Sequence, residues 1–300
     1  MEINYVYLET TSYCNLACKF CNRPDVINGL THMTVDDFNK LLKQLKNQKI
    51  TEAKLMGMGE PFMHPNFHEI TKRFKEAFPT AFTISATNCQ INLTSKFKEA
   101  LRYLDMCYLS IDGGKENYES IRVGASWKKL LNFLHNLQQY KNEVACKFPI
   151  NFTMTPQNIY DIDLMLELND KYLLDGLRIN FVQNWDEEKS DSPLLNGFTA
   201  DQLTYLSKYK KYIMGKAKWD YPDCFWPKNG LYVTVDGNVK VCCMNTSAHP
   251  IGNLFQQPLQ LIRASYPFTS IRNGCESNQP TEHCLKCSYK ELTPFLSKVL

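Results

Sequence analysis

The 300-residue sequence contains no apolar run long enough to cross a bilayer, so a membrane-spanning helix is excluded. Its first apolar segment, Ile3 to Leu8, is too short for a secretion signal and lacks the basic flank of one, and a cytoplasmic location is expected. A charge excess is missing as well. Lys and Arg number 34 against 31 Asp and Glu, a net charge of +3, and no Lys/Arg block concentrates it. Neither nucleic acid nor an acidic membrane surface is therefore expected as a partner. Repeats and low-complexity tracts are absent, and a 44% hydrophobic content can bury a substantial core, which excludes disordered and fibrous classes. What the chain does have is twelve cysteines. In a reducing compartment they do not make a disulfide framework, so metal binding or redox chemistry comes first.

Six β-prone runs set the rhythm: Ile3–Glu9, Glu52–Met56, Phe82–Ala86, Met106–Ile111, Ile150–Met154 and Gly176–Phe181. Between them, apolar residues recur at helical spacing over Val35–Leu45, Pro65–Phe78, Thr94–Leu104, Trp127–Tyr140 and Ile159–Tyr172. Thr34 and Thr94 read as N-caps. Crossovers of this length predict an α/β fold with a parallel sheet and place function at the C-terminal strand ends. The rhythm breaks after Phe181. A polar stretch from Asp186 to Pro193 reads as a linker, a helix is predicted from Thr199 to about Met214, and Asp236-Gly237-Asn238 between Leu231–Val235 and Val239–Val241 predicts a hairpin. Three segments result: an α/β domain over 1–185, a linker with a helix over 186–222, and a cysteine-bearing domain over 223–300.

Cys14-Asn15-Leu16-Ala17-Cys18-Lys19-Phe20-Cys21 places three thiols in one loop after the first strand. A loop can turn all three sulfurs to one centre, whereas a strand would point neighbours to opposite faces. Structural zinc takes four protein ligands, and no fourth Cys or His lies nearby in sequence; three thiolates on a four-iron cluster leave one iron open for chemistry. Zinc stays an alternative at this point.

The triplet Cys14-x₃-Cys18-x-Phe20-Cys21 resembles the signature loop of radical S-adenosylmethionine (SAM) enzymes. Gly57-Met58-Gly59-Glu60-Pro61, Thr87-Asn88, Ser110-Ile111-Asp112-Gly113 and Tyr118…Ile121-Arg122…Gly124 fit the same family, over about 180 residues. The resemblance implies a partial (β/α)6 TIM barrel, with a [4Fe-4S] cluster on Cys14, Cys18 and Cys21. It also implies SAM contacts from Phe20, Gly57, Gly59, Glu60, Pro61, Asn88, Ser110, Asp112 and Arg122, with Arg122 a candidate partner of the SAM carboxylate. It further implies that an external electron donor such as flavodoxin or ferredoxin reduces the cluster, that SAM is cleaved, and that a 5′-deoxyadenosyl radical abstracts hydrogen from carbon. The family's Thr-Asn-Gly reads Thr87-Asn88-Cys89 here. Met56, Met58 and Met63 read as core packing, and His64 as structural.

Cys224-x₁₂-Gly237-x₄-Cys242 and Cys284-Leu285-Lys286-Cys287 would alone suggest a Cys₄ zinc ribbon. Beside a radical SAM core they resemble the twitch domain, a shortened SPASM domain built on a β-hairpin plus helix. That implies one auxiliary [4Fe-4S] cluster on Cys224, Cys242, Cys284 and Cys287. The same stretch is similar to that of the butirosin-pathway aminocyclitol dehydrogenase and of a neomycin-type epimerase.

Oxidation or epimerisation of a small polar substrate, of sugar or aminocyclitol type, is the leading expectation. Epimerisation needs a thiol to return hydrogen, and Cys243, Cys275 and Cys89 are candidates, although burial is the ordinary reading of each. Maturation of a ribosomal peptide is the alternative; only thirteen residues precede Cys14, too few for a peptide-recognition domain. From a different class, a non-catalytic zinc-ribbon binding protein is the rival. Substrate contacts are expected at Asn151 and Thr153, Arg178 and Asn180, and Gln183 and Trp185, which alternate along their strands.

Overall fold

The computed structural model describes residues 2–23, 29–182, 197–213, 224–243 and 249–285. In chain order its elements are β1 (Tyr5–Leu8), α1 (Val35–Leu45), β2 (Glu52–Leu55), α2 (Phe67–Ala77), β3 (Phe82–Thr87), α3 (Ser95–Leu101), β4 (Met106–Ser110), α4 (Lys115–Ile121), α5 (Trp127–Tyr140), β5 (Ile150–Met154), α6 (Ile162–Lys171), β6 (Leu177–Phe181), α7 (Ala200–Ser207), α8 (Trp226–Asn229), β7 (Gly230–Val233), β8 (Asn238–Lys240), β9 (Gly252–Asn253), α9 (Leu259–Ala264), α10 (Tyr266–Glu276) and α11 (Glu282–Leu285). The six predicted strands are β1 to β6. Among the described residues no helix is long and apolar enough to cross a membrane.

Two compact units divide the chain. The first holds the described residues up to Tyr13, from Asn22 to Ser85, and beyond residue 223. Here β1 is central: it pairs in parallel with β2, Tyr5 opposite Glu52 and Leu8 opposite Leu55, and with β7, Tyr5 opposite Gly230 and Leu8 opposite Val233. The predicted hairpin forms, β8 lying antiparallel to β7, with Gly237 supplying φ +82° at the turn. Val6 and Leu8 are fully buried, as are Phe38, Leu41 and Leu45 along one face of α1 and Phe67, Ile70 and Phe74 along one face of α2. Burying each such side chain contributes about 1.5–3 kcal/mol. Thr34 caps α1 by accepting from Asp37 N–H at 3.0 Å.

The second unit holds Cys14–Cys21 and the described residues from Ala86 to Ile213. Strands β4, β5 and β6 are parallel, with Ser110 opposite Asn151 and Asn151 opposite Arg178. Thr94 caps α3 as expected, but that helix ends at Leu101, not Leu104, because Arg102 and Tyr103 N–H turn back on carbonyls three residues earlier. The helix predicted from Thr199 is α7, ending at Ser207, and Lys208 and Tyr209 likewise bond three residues back; Met214 lies outside the described residues. Most of the linker, with Asp186 to Pro193, also lies outside them.

His64 is structural in the first unit. Its Nε2 donates to Met33 O at 2.7 Å and its Nδ1 accepts from Asn66 N–H at 3.0 Å, which fixes a neutral ring. Burial pushes its pKa from 6.5 down to about 4. Between those values the unfolded chain takes up a proton that the folded chain refuses, so stability falls as pH falls, by about 3 kcal/mol at the lower end. Urea unfolding from pH 7 to pH 4.5 is expected to show a shallower pH dependence in His64→Gln than in the wild type; equal slopes would refute this assignment.

Candidate metal and cofactor centre

The cysteine loop is tied down at both ends of its second half. Ala17–Cys18 pairs antiparallel with Arg122–Val123, Lys19 N–H donates to Ile121 O at 2.9 Å, and Cys21 N–H to Cys18 O at 3.0 Å. All three thiols are half-buried. Asn88 Nδ2 donates to Asn15 Oδ1 at 2.8 Å and lies 3.9 Å from Cys14 Sγ; Asn15 Nδ2 donates to Gln90 O at 3.1 Å. Arg122 Nη1 lies 3.9 Å from Cys18 Sγ. N–H groups aimed at sulfur suit metal-bound thiolates. Burial pushes the Cys18 thiol up to about 11 despite the opposing pull of Arg122, so only a strong Lewis acid would displace its proton at neutral pH.

Arg122 is itself 7% exposed and held by Asp112, which is fully buried: Nη2 and Oδ2 are 2.6 Å apart, while Asp112 Oδ1 accepts from Thr153 N–H at 2.6 Å. Burial works against the Arg122 charge, but Asp112 and Cys18 outweigh it and the pKa is raised. Among the described residues its buried Nε has no hydrogen-bond partner, which leaves one donor of the cation for an anionic group. Phe20 lies beneath it, the guanidinium carbon 5.9 Å from the ring centre. Ser110 is half-buried at the end of β4. Together these groups fit a thiolate-bound cluster with an anionic ligand beside it. Asp112 takes the part of fixing Arg122.

In the first unit the Gly57–Pro61 loop packs against the end of β1. A Cβ on Gly57 would lie 2.2 Å from Glu9 Cγ, and one on Gly59 would lie 2.4 Å from Thr11 O and 2.6 Å from Tyr13 O, so neither position admits a side chain. Glu60 N–H donates to Tyr13 O at 2.7 Å, and the buried Glu60 carboxylate accepts from Phe62 N–H at 3.4 Å across Pro61. Glu9, which sequence reasoning passed over, is 3% exposed and accepts from Met58 N–H at 3.1 Å. A Glu at the end of the apolar run Tyr5-Val6-Tyr7-Leu8 was the available signal.

The cysteines of the hairpin region also gather. Cys224, Cys242 and Cys243 are half-buried against Tyr5, Trp226 and Tyr232. Cys275 Sγ lies 3.8 Å from Cys284 Sγ, and Cys284, burial, Cys224 and Cys242 all push the Cys275 thiol up. Cys287 lies outside the described residues. Among the described residues no three Cys, His, Asp or Glu side chains close tightly enough to enclose a single bare ion; a four-iron cube takes its thiols at separate corners and needs no such convergence. Of the candidate hydrogen donors, Cys275 is 1% exposed against Cys284, and Cys89 is fully buried with Sγ 3.7 Å from Thr87 O. Cys243 alone of the three keeps some exposure. Cys89 has φ +60°, the left-handed conformation that glycine takes without strain and that costs another residue about 1–2 kcal/mol.

Asn151, Arg178 and Asn180 meet on one face of β5 and β6. Arg178 Nε donates to Asn180 Oδ1 at 3.2 Å, Asn180 Nδ2 to Asn151 Oδ1 at 2.5 Å, and Arg178 Nη1 to Tyr108 Oη on β4, whose ring centre lies 4.9 Å from the guanidinium. Thr153 is on the same face; Gln183 and Trp185 lie outside the described residues. Tyr108 is an addition that only strand pairing reveals.

Residues 8–168 match the radical SAM superfamily, and residues 224–288 match the SPASM iron–sulfur cluster-binding domain. The first match covers more than half of the chain, which belongs to the radical SAM superfamily. Its cofactors are SAM and a [4Fe-4S] cluster, with auxiliary iron–sulfur binding in the second domain, and the zinc-ribbon rival falls. The chain is 23% identical to the tungsten-containing aldehyde ferredoxin oxidoreductase cofactor-modifying protein of Pyrococcus furiosus, over 72% of this chain and 75% of that one. It is 19% identical to the PqqA peptide cyclase of Bradyrhizobium diazoefficiens, over 96% of this chain and 79% of that one. Similar solved structures include anSMEcpe with bound AdoMet (TM-score 0.70, 14% identity, 99% and 97% coverage) and Streptococcus suis SuiB bound to precursor peptide SuiA (0.65, 17%, 96% and 70%). BtrN in complex with AdoMet and 2-DOIA matches at 0.52, with 18% identity over 92% of this chain and 89% of that one. At these identities the likeness is one of fold, the partial TIM barrel expected from the sequence.

Proposed function

We propose that the chain abstracts hydrogen from a small polar substrate of sugar or aminocyclitol type and so oxidises or epimerises it. Cys14, Cys18 and Cys21 hold the first cluster, and Cys224, Cys242, Cys284 and Cys287 hold one auxiliary [4Fe-4S] cluster. SAM is held by the Gly57–Pro61 loop, Phe20, Asn88, Ser110 and Arg122, with Asp112 fixing Arg122. When bound, SAM and the first cluster supply a 5′-deoxyadenosyl radical. The chain's residues orient the substrate and exclude water. The observation carrying the substrate class is the polar face of Tyr108, Asn151, Arg178 and Asn180, which offers donors and acceptors to a hydroxylated or amino compound. Cys243, the least enclosed of the three candidate thiols, is the hydrogen donor if the outcome is epimerisation. The work is cytoplasmic, with reduction by a flavodoxin or ferredoxin.

A second reading is peptide maturation. It is favoured by a relative that is a peptide cyclase and by the fold shared with SuiB, solved with its precursor peptide. Both are tested by incubation in deuterated water with SAM, reductant, and a panel of aminocyclitols and short peptides. Deuterium at one carbon, lost in Cys243→Ala while 5′-deoxyadenosine still forms, is expected for epimerisation, and a ketone without deuterium for dehydrogenation. Modification of peptides alone would transfer the proposal to the second reading, and no 5′-deoxyadenosine under any reductant would refute both.

A further inference from the structure

One buried carboxylate in the first unit touches two elements that the proposed function assigns to different cofactors. Glu9 stands one residue beyond β1, and β1 is flanked by β2, which leads into the Gly57–Pro61 loop, and by β7, the first strand of the hairpin that leads to Cys242. Its Oε1 accepts from Met58 N–H at 3.1 Å and also from the hydroxyl of Tyr232 on β7; its Oε2 accepts from Val235 N–H at 3.4 Å, in the hairpin turn. Its own N–H donates to Val233 O at 2.9 Å. Glu9 is 3% exposed and Tyr232 2% exposed, so water does not substitute for these bonds. Gly57 has no side chain where Glu9 Cγ and Cδ pass, which seats the loop directly on the carboxylate.

We infer that Glu9 is a positioning residue whose single carboxylate sets the SAM-binding loop and the auxiliary-cluster hairpin in register with each other. This rests on the reading of Gly57–Pro61 as a SAM loop. Two of the three donors share one oxygen, so displacing Tyr232 alters the acceptor that holds Met58. Burial pushes the Glu9 carboxyl up, while the Tyr232 hydroxyl, Met58 and Val235 N–H and the Lys240 charge pull it back; these are the groups that face it. An amide in its place offers one acceptor oxygen to three donors and turns its NH₂ toward one of them, which is why even the isosteric change is costly.

The variants are Glu9→Gln and Tyr232→Phe, the second removing one hydroxyl and no carbon. Each is loaded anaerobically, counted for iron and checked for its melting temperature, and SAM affinity is measured by calorimetry. Expected are iron contents equal to the wild type, a SAM Kd raised about tenfold in Glu9→Gln and about threefold in Tyr232→Phe, and altered auxiliary-cluster electron paramagnetic resonance in both. The Tyr232→Phe result is the diagnostic one, because the hydroxyl reaches the Gly57–Pro61 loop through the Glu9 oxygen that also holds Met58. Wild-type SAM affinity in both variants overturns the inference and leaves the SAM-loop reading standing. Failure of the wild type to bind SAM overturns the SAM-loop reading, and the inference with it.

Discussion

Replacing Cys14, Cys18 or Cys21 by Ala is expected to reduce 5′-deoxyadenosine formation at least about a thousandfold, to background, and to lower iron from about eight to about four per chain. On the proposed assignment the three thiols of the loop would hold the cluster that supplies SAM cleavage, and two thiols would not be enough to keep it. The local structure sharpens the comparison. Asn88 braces Asn15 beside Cys14, so Asn88→Ala removes that brace and an N–H directed at the sulfur but leaves every ligand. It should retain iron and lose activity about tenfold, the size of effect usual for groups that orient metal ligands. Iron analysis with quantified 5′-deoxyadenosine separates the two. Wild-type cleavage in any of the three Cys→Ala variants would remove the basis of the assignment.

Cys242→Ala and Cys284→Ala are expected to act differently. Each should lose about four irons and at least about a hundredfold of product, while 5′-deoxyadenosine still forms within about threefold of the wild type. Cys242 and Cys284 belong to the first unit and the triplet to the second, so the loss is confined to one cluster. If the auxiliary cluster is the acceptor for the second electron, its loss would leave the one-electron-oxidised substrate radical without a route to the two-electron-oxidised product. The melting temperature should also fall, since metal bound only by the folded state adds its binding energy to folding. Product at the wild-type level would show that the auxiliary cluster takes no part in turnover.

Much of this chain could be read from local pattern. Ile150–Met154, Val35–Leu45 and Trp127–Tyr140 end where their spacing said, and Thr34 and Thr94 cap as expected, because each depends on residues within one or two turns. Helix α4 escaped notice: Lys115–Ile121 is seven residues long and buries only Tyr118 and Ile121, too few to show a period. Cys89 and Cys275 looked like equals of Cys243, since sequence carries no measure of enclosure. Tyr108 entered the polar face only because β4 lies beside β5.

The sequence by itself carried the cofactor chemistry through the family its motifs resemble: spacing alone left zinc open for both cysteine sets, and the radical SAM and SPASM matches decided for iron–sulfur clusters and SAM. The tertiary structure alone decided that β7 pairs with β1, more than 220 positions earlier, and that Glu9 meets both Met58 and Tyr232. Such partners are chosen by which sheet edge is open and which buried charge needs donors, and a carboxylate removed from water takes them from whatever elements the fold brings within reach.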